Sequence, residues 1–431
     1  MNHGTRMARF SPAPLLGLTL MLALTPRLPA QDPVPAEERI TVIKARKIIT
    51  VTGKDIAFGM IVLEGGKITN VGRGLEYPRN ARVIDASDRV VMPGLIDVNT
   101  RFGLPRYERG GVLSQLTVAD EFIPRPGMFD DLVESGFTAI ALSPPGRGIT
   151  GRALVTRTAG PEEQRTLTSP GYLWINTDKK SLREAFEKAQ AEIDKVDKAR
   201  KEHEEKLKKE AEAKPASAPA ATQSAPASAP ASQPAFQPPP IDPAFTTLVD
   251  LIQKKDGVSA LLELGSASDV LQFQPLLAKY GFPHAFILRN GVQSDFFRVI
   301  EELGKQKSRI VAWPYVHRLP NSAERVHTLK DLAAAGCEVS LTPLNDSLYE
   351  HQVYLPRAAE LAREGWARED VLKALTLHPA RLLGLEARFG AIEKDREADL
   401  IFLDNDPLKP GARVREVMIG GQIVYRAEEL H

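Results

Sequence analysis

The chain has 431 residues and a formal net charge of +1 at pH 7, with 56 Lys and Arg against 55 Asp and Glu. This length allows one large domain or two ordinary ones with a substantial core. The balanced charge excludes the basic footprint of a nucleic-acid-binding protein. Cys337 is the single cysteine, so an internal disulfide is excluded. It stands in the apolar run AAAGCEVSL, and we expect it to be buried.

The N-terminus has the three parts of a secretory signal peptide. Arg6 and Arg9 precede the apolar run LLGLTLMLAL (15–24), and LPA (28–30) leads into the polar segment QDPVPAEE. The run is well short of the about 20 apolar residues that a membrane span needs. We therefore expect residues 1–30 to be removed after Ala30. The mature protein is expected to be soluble, without a membrane span, and exported to the periplasm or the extracellular space.

Both ends of the mature chain are rich in short β-strand patterns. Residues 31–90, with the two that follow, include ITVIKARKIIT, GMIVLEGGKITNVG and ARVIDASDRVVM, which are β-branched runs separated by turn residues. Residues 388–431 show the same strand pattern in ADLIFLDNDP and REVMIGGQIVYR, and the Gly-Gly pair in the second run indicates a hairpin. We predict that the two ends meet in one composite β-sandwich.

Residues 91–387 alternate between strand-like and helix-like patterns. After residues 90–97, short apolar runs recur at 137–143, 171–176, 258–264, 284–288, 309–313 and 338–341. Helical patterns lie between them, and several end in Gly or Asn, the residues preferred just beyond a helix. Strands alternating with helices of this length indicate an α/β fold, and about eight such strands predict a (β/α)8 TIM-like barrel.

An insertion interrupts the barrel pattern. Residues 181–214 are highly charged and predict a solvated helix. Residues 215–240 form a Pro/Ala/Ser-rich tract that cannot bury a core and is expected to be disordered. The segment is either a partner-binding or spacer segment, or a tolerated surface insertion. The surface insertion is favoured because long loops cost little once their ends are anchored.

A glycine-rich segment matches the dinucleotide-binding pattern G-x-G-x-x-G at Gly146, Gly148 and Gly151. That pattern binds a pyrophosphate only where a helix follows it. Here the β-prone ALVTRT follows, so nucleotide binding is disfavoured. We expect a flexible turn near the mouth of the barrel.

Three segments resemble the amidohydrolase superfamily. PGLIDVNTRFGL (93–104) is similar to its PGLID-x-H-x-H segment, and residues 375–408 are similar to its C-terminal signature. SGFTAIALSPPGRGITGRALVTRTAG (135–160) resembles the Gly-rich segment of its secreted, imidazolonepropionase-like branch. The resemblance implies a metal-dependent hydrolase barrel flanked by a sandwich built from both chain ends.

The resemblance also implies a metal site at the mouth of the barrel. Zinc or another divalent metal lowers the pKa of a bound water and polarises the scissile carbonyl. The family supplies an H-x-H pair, two further histidines from the fifth and sixth strands and an aspartate from the eighth. Many members add a bridging carboxylated lysine.

This chain departs from the family at every one of those positions. They hold Asn99 and Arg101 for the H-x-H pair, Glu263 for the fifth strand, Asn290 (or Arg289 with a slip of one) for the sixth, Leu344 for the aspartate with Asp346 two residues later, and Arg157 and Leu173 as the nearest equivalents of the lysine.

Arg101 is the decisive change, because a guanidinium has no lone pair for a metal and stays protonated. We therefore predict no metal and no other cofactor. Seven of the eight histidines lack the tight spacing of a metal site, and a surface or packed structural role is expected for them: His3, His203, His317, His327, His351, His378 and His431.

We hypothesise that Arg101 occupies the former metal position and forms ion pairs with Glu263 and Asp346. A fixed organic cation would then replace the metal cation and neutralise the acidic side chains. The alternative is independent drift of these positions after loss of function.

The sequence leaves three functions open. The favoured one is an exported, noncatalytic amidohydrolase-like protein that binds a small-molecule ligand, as a homodimer or in a hetero-assembly with an active homologue. The second is a divergent hydrolase of non-peptide carbon–nitrogen bonds, with a displaced or metal-independent site that uses Glu263 or Asp346 as acid or base. The third is an interaction scaffold acting through residues 181–240.

Overall fold

The computed structural model describes residues 40–105, 109–212, 235–291, 294–319 and 321–428. The signal peptide expected at residues 1–30 lies outside the described residues, as does most of the tract at 215–240. Within the described residues, no helix combines the length and apolar character that crossing a bilayer requires.

The strands of the described residues, in chain order, are β1 (Thr41–Ile48), β2 (Ile56–Glu64), β3 (Lys67–Gly72), β4 (Arg82–Pro93), β5 (Leu95–Thr100), β6 (Gly110–Val112), β7 (Phe137–Leu142), β8 (Arg147–Arg152), β9 (Leu154–Arg157), β10 (Thr166–Thr168), β11 (Leu173–Asn176), β12 (Ala260–Leu264), β13 (His284–Leu288), β14 (Arg309–Ala312), β15 (His317–Arg318), β16 (Arg325–Val326), β17 (Glu338–Leu341), β18 (Leu400–Leu403), β19 (Val414–Ile419) and β20 (Gln422–Arg426).

The α-helices are α1 (Asp130–Glu134), α2 (Glu162–Arg165), α3 (Lys179–Glu212), α4 (Thr246–Ile252), α5 (Ala267–Tyr280), α6 (Ile300–Lys305), α7 (Thr328–Ala334), α8 (Leu348–Gln352), α9 (Tyr354–Arg363), α10 (Arg368–Leu375) and α11 (Leu377–Leu382). Short 3-10 helices lie at Val118–Asp120, Pro243–Phe245 and Phe296–Val299.

The two chain ends meet in one seven-stranded sheet. Its strand order is β20-β19-β18-β4-β1-β2-β3, so strands from the C-terminal end pair with the edge of the N-terminal group through β18 and β4. All neighbours are antiparallel except β1 and β4. Apolar side chains from six of these strands share a single core, in which Ile43, Ile61, Val91, Phe402 and Met418 are almost fully buried. The expected union of the two ends is confirmed.

The middle of the chain has the α/β fold of a TIM-like barrel, as predicted. Parallel pairing joins β5 to β7, and β11 through β12, β13 and β14 to β17. Between these groups, β8 and β9 run antiparallel to their neighbours, β9 against β7 and β8 against β11. The barrel therefore departs from an all-parallel ring, and its hydrogen-bonded ladders form two sheets.

Side chains from the two sheets fill one barrel interior. Val98 of β5 and Ala141 of β7 lie in the same buried cluster as Trp174 of β11, Ile287 of β13 and Val311 of β14. The alternating residues of these strands pack outward against the helices in a second cluster. This two-sided burial is what a strand surrounded by helices requires.

Local sequence signals set the helix bounds in the barrel. Ser266 and Asp269 form a reciprocal capping box at the start of α5. Gly281 ends the same helix with φ +60°, a left-handed conformation that glycine adopts without strain. Cys337 is 7% exposed, as predicted, and burial raises the pKa of its thiol to about 11.

The charged segment after β11 forms the long helix α3. Its first turns bury Leu182, Ala185, Phe186 and Ala189 against the barrel, and the later turns carry mostly exposed charges. At the end of the Pro/Ala/Ser-rich tract, the Phe236 ring lies 5.5 Å from that of His203 on α3. The last residues of the tract therefore follow the helix.

The glycine-rich segment forms strand β8 (Arg147–Arg152), so the expected turn is wrong. Gly146 and Gly148 have φ +100° and +118°, and a Cβ at either would come within 2.3 Å of a carbonyl oxygen of the neighbouring β6 region. These glycines allow two backbones to approach closely. Pro145 and Arg147 do lie at the barrel mouth, where the segment was expected.

Candidate functional site at the barrel mouth

The carboxyl ends of the parallel strands open onto a cavity of about 1120 Å³. Barrel proteins of this type place their sites at this end. The charged residues of its lining are Arg101, Arg147, Asp178, Glu263, Asp269, Arg289 and Asp346. Three of the five predicted site residues are therefore brought together here, whereas Asn99 and Asn290 are not part of the lining.

Asn99 is tied to neighbouring strands by a chain of hydrogen bonds. The pairing of β5 with β7 slips by one residue between Asp97 and Thr100, on either side of Asn99. Ser143 Oγ donates to Asn99 Oδ1 at 2.5 Å, and the Tyr172 hydroxyl lies 2.7 Å from Ser143 Oγ. Burial raises the pKa of Tyr172 above its ordinary value, so the phenol keeps its proton. Asn99 thus holds the barrel wall together.

Arg101 lies at the cavity beside a buried aromatic ring. Its Cζ is 5.7 Å from the ring centre of Trp174, within the range of a cation–π contact. Within the described part of the chain, no carboxylate lies at ion-pair distance from this guanidinium. The expected ion pairs of Arg101 with Glu263 and Asp346 are not found.

Glu263 instead forms an ion pair with Arg289. Glu263 of β12 is in register with Ile287 of β13, and Arg289 follows two residues later on the same face of that strand. The carboxylate is therefore within direct reach of Arg289. The Glu263 side chain is 8% exposed, and that of Arg289 is 57% exposed.

Asn290 has a structural role. It is fully buried, its Nδ2 donates to the Trp313 carbonyl at 2.9 Å, and its Oδ1 accepts from the Trp313 amide at 2.8 Å. These two bonds extend the β13–β14 pairing beyond Leu288 and Ala312. The side-chain amide acts here as an additional rung of the sheet.

Asp346 joins the loop after β17 to the end of β5. Its Oδ1 accepts hydrogen bonds from Thr100 Oγ1 at 2.7 Å and from the backbone N–H of Arg101 at 2.8 Å. Asp346 therefore contacts Arg101 through the main chain and not through the guanidinium. Leu344, at the position of the family aspartate, is half-buried.

A buried acid–histidine pair lies beside this site and was missed by the sequence reasoning. Asp97 and His351 have side chains 1% and 0% exposed, with Oδ2 and Nε2 3.4 Å apart. Thr342 Oγ1 donates to Asp97 Oδ1 at 2.7 Å. Burial alone would lower the pKa of His351, but the hydrogen bond and charge of Asp97 outweigh it and raise that pKa. The spacing of Asp97 two residues before Asn99 was the available signal.

Neither position considered for the bridging lysine belongs to the mouth. Leu173 is fully buried in the core. Arg157 binds Asp399 and Glu397, near the starts of β5 and β7. Its neighbour Thr158 donates to the carbonyl of Phe137, the first residue of β7. Arg157 thus joins the opposite end of the barrel to the terminal sheet.

Four further histidines have the expected packed or surface roles. His327 caps α7 through its side chain, and His378 Nδ1 donates to the Val339 carbonyl at 2.8 Å. His317 is buried, and burial lowers its pKa. His203 is half-buried on the charged part of α3, where its ring lies 5.5 Å from that of Phe236.

Comparisons with known proteins agree with this fold. Residues 346–425 match the model of the Amidohydrolase family. A crystal structure of an amidohydrolase from Thermotoga maritima MSB8 has a TM-score of 0.71 at 21% identity, covering 90% of this chain and all of that one. The predicted amidohydrolase resemblance is confirmed.

Sequence relatives match over a short part of their length. The chain is 39% identical to bovine N-acetylglucosamine-6-phosphate deacetylase over 69 residues, 16% of each protein. It is 44% identical to a dihydroorotase from Mycobacterium leprae over 48 residues, 11% of each. The chain therefore spans less than one fifth of these relatives in the matched region. The likeness to the Thermotoga structure extends over the whole fold.

The metal that an amidohydrolase barrel implies does not fit the residues at the mouth. In the described part of the chain, no three His, Cys, Asp or Glu side chains are grouped so as to hold an ion. Glu263 is engaged by Arg289, and Asp346 Oδ1 accepts two protein hydrogen bonds. Arg101 adds a permanent positive charge in the same cavity. These donors do not form the imidazole-rich set that zinc prefers.

Proposed function

We propose that this protein is an amidohydrolase-like barrel that binds a small molecule at its mouth and does not carry out metal-dependent hydrolysis. The observation that carries the proposal is Arg101, which stands in the second position of the H-x-H pair with its guanidinium at the cavity. A guanidinium cannot donate a lone pair to a metal and repels a dication at short range. The chemistry of the family requires a neutral imidazole with a free lone pair at this position.

The other former ligand positions support the same conclusion. Asn99 and Asn290 use their amide groups to join neighbouring strands, and Glu263 forms an ion pair with Arg289. Each side chain is engaged by protein groups without help from an ion. A large cavity nevertheless persists at the end of the barrel where ligands bind in this architecture.

Metal content of the purified protein tests the proposal directly. After incubation with zinc or manganese and dialysis, elemental mass spectrometry should find well under one tenth of an ion per chain. Retention of one or two ions per chain would overturn the proposal if the variant Arg101→Gln altered their number. Zinc held equally by the parent and by Arg101→Gln would be bound outside the mouth and would leave the proposal intact.

Activity measurements separate the proposal from a divergent hydrolase. Glu263 and Asp346 are the acid–base candidates of that alternative, and both line the cavity. We expect no hydrolysis of cyclic amides or N-acyl compounds above the uncatalysed rate. Turnover that Asp346→Asn or Glu263→Gln abolishes, with the melting temperature unchanged, would establish the divergent hydrolase instead.

We also propose that the protein is exported. The basic residues, apolar run and LPA sequence at residues 6–30 support this. Intact mass measurement of the protein recovered from the periplasm or medium should show a chain that begins at Gln31. Recovery of the full-length chain from the cytoplasm alone would contradict export.

A further inference from the structure

Acidic residues outnumber basic ones in the lining of the mouth cavity, but the acidic side chains are already bound by groups of the protein. Its four carboxylates belong to Asp178, Glu263, Asp269 and Asp346. Asp178 accepts two hydrogen bonds from Ser181, and Asp269 accepts from the backbone amides of residues 265 and 266. The carboxylates of Glu263 and Asp346 are engaged as described above. Each carboxylate therefore already has partners within the protein.

Two of the three guanidinium groups lack such partners. Arg289 is held by Glu263, whereas Arg101 and Arg147 have no carboxylate at ion-pair distance in the described part of the chain. A guanidinium offers five N–H donors in a planar fork that matches a carboxylate. Unused donors on two cations facing one cavity indicate a negatively charged ligand.

The surroundings of Arg101 add an independent observation. Trp174, whose ring lies beside this guanidinium, is 1% exposed, and its indole Nε1 has no hydrogen-bond partner. A buried donor without a partner costs about 1–3 kcal/mol, so it marks a position where an acceptor is missing. Trp174 is two residues before Asn176, which lines the cavity. The acceptor is therefore needed close to Arg101.

We propose that the mouth cavity binds a small molecule through one carboxylate group, which Arg101 holds by paired hydrogen bonds and to which Arg147 contributes a second positive charge. This inference rests on the proposed ligand-binding function. One carboxylate is favoured over a phosphate because four acidic side chains line the same cavity and repel additional negative charge. The planar fork of Arg101 also matches a planar carboxylate better than it matches a tetrahedral anion.

The tryptophan indole signals of the ¹⁵N-labelled protein provide the test. The chain has three tryptophans, so Trp313→Phe and Trp366→Phe variants identify the Trp174 signal by elimination. Benzoate is the probe, benzamide is its neutral counterpart of nearly the same shape, and inorganic phosphate is the tetrahedral anion. We expect the Trp174 signal to shift and saturate with benzoate, and to respond to neither of the other two at the same concentration.

Variants then assign the effect to Arg101. Arg101→Gln should raise the benzoate midpoint at least about tenfold, since hydrogen bonds to charged groups contribute on the order of one to two decades in affinity. Arg101→Lys keeps the positive charge but lacks the planar pair of N–H donors, so its benzoate midpoint should lie between those of the parent and Arg101→Gln. Arg79→Gln removes an exposed arginine that is not part of the cavity lining and should leave the midpoint unchanged. Melting temperatures confirm that each variant is folded.

Three results would overturn the proposal: an equal response to benzamide, a stronger response to phosphate than to benzoate, or an unchanged midpoint in Arg101→Gln. The metal analysis is a separate measurement. If the protein is metal-free and its Trp174 signal does not respond to benzoate, this inference is refuted and the ligand-binding proposal is unaffected. A mouth-bound metal would refute the proposed function whatever benzoate does.

Discussion

Replacing Arg157 with methionine should destabilise the protein strongly, because it leaves a buried carboxylate unpaired. Arg157 Nε and Nη2 each lie 3.0 Å from an oxygen of Asp399, and Nη2 also contacts Glu397. The side chains of Arg157 and Asp399 are 5% and 3% exposed. After the substitution, the Asp399 carboxylate keeps its hydrogen bond from the Gly420 amide at 2.7 Å.

The expected cost follows from this burial. Removing one partner of a buried ion pair costs about 3–5 kcal/mol. Unfolding entropy is about 2.1 cal/mol/K per residue, so the roughly 390 residues of the folded chain give about 0.8 kcal/mol/K. The melting temperature should therefore fall by about 4–6 °C. Burial already raises the pKa of Asp399 and Arg157 opposes that rise, so without Arg157 the carboxyl takes up a proton more readily. The deficit should shrink as the pH is lowered from 8 to 5.

Arg388→Met is the matched control. Arg388 binds the same Glu397 at 2.5 Å, and its guanidinium lies 5.0 Å from the Phe389 ring, against 5.4 Å for Arg157. Its side chain is 44% exposed, so the loss should be below about 1 kcal/mol, or about 1 °C. Differential scanning calorimetry measures both variants at pH 8 and pH 5. Equal melting temperatures for the two variants would refute the reasoning from burial.

Three further predictions concern the mouth. His351→Gln should cost about 1–3 kcal/mol at pH 5.5 and less at pH 9. Because the pKa of His351 is raised in the folded state, the charged pair stabilises the protein fully below the unfolded-state pKa of histidine. This stabilisation is lost as the pH rises through the folded-state pKa. A loss of stability in the variant that grows with pH would therefore contradict the charged pair. Asn290→Ala should cost about 1–3 kcal/mol by removing both bonds to Trp313, and thermal unfolding at the level of an exposed Asn80→Ala control would contradict this. Glu263→Gln frees Arg289 and should lower the benzoate midpoint about threefold in the indole titration; weaker binding would contradict the assignment of charge in the cavity.

Much of the fold could be predicted because its signals are local and periodic. The apolar runs at 284–288 and 338–341 became β13 and β17 with the same bounds. The pairing of the two chain ends was predicted because both ends carry the same pattern of short β-branched strands. The antiparallel course of β8 and β9 could not be predicted, because strand direction depends on which neighbour the chain meets after a turn. The glycines that predicted a flexible turn instead allow two neighbouring backbones to approach closely.

The candidate site was predicted less completely, and for a geometric reason. The resemblance to the amidohydrolase superfamily implied Arg101, Glu263 and Asp346 as residues of the mouth, and the structure places all three in its lining. It did not specify which charges would meet. A shift of one residue along a strand moves a side chain to the other face, so spacing alone could not choose between Arg289 and Asn290. In the structure, Arg289 forms an ion pair with Glu263, and the Asn290 side chain hydrogen-bonds to the backbone of Trp313.

Three of the positions that align with the family's metal ligands have a common property, which is that their side chains join adjacent strands directly. The contacts are Asn99 with Ser143 between β5 and the end of β7, Glu263 with Arg289 between β12 and the end of β13, and Asn290 with Trp313 beyond β13 and β14. Asp97 and Thr342 provide a similar contact between β5 and the residue after β17. A metal ion would instead gather strands from across the barrel onto one central point. Because these contacts run around the rim, they hold the strand ends in place and leave the centre open. An open, internally braced mouth, in which two guanidinium groups have no carboxylate partner among the described residues, is suited to receiving a ligand. This arrangement supports the proposal of a ligand-binding site over independent drift of these positions.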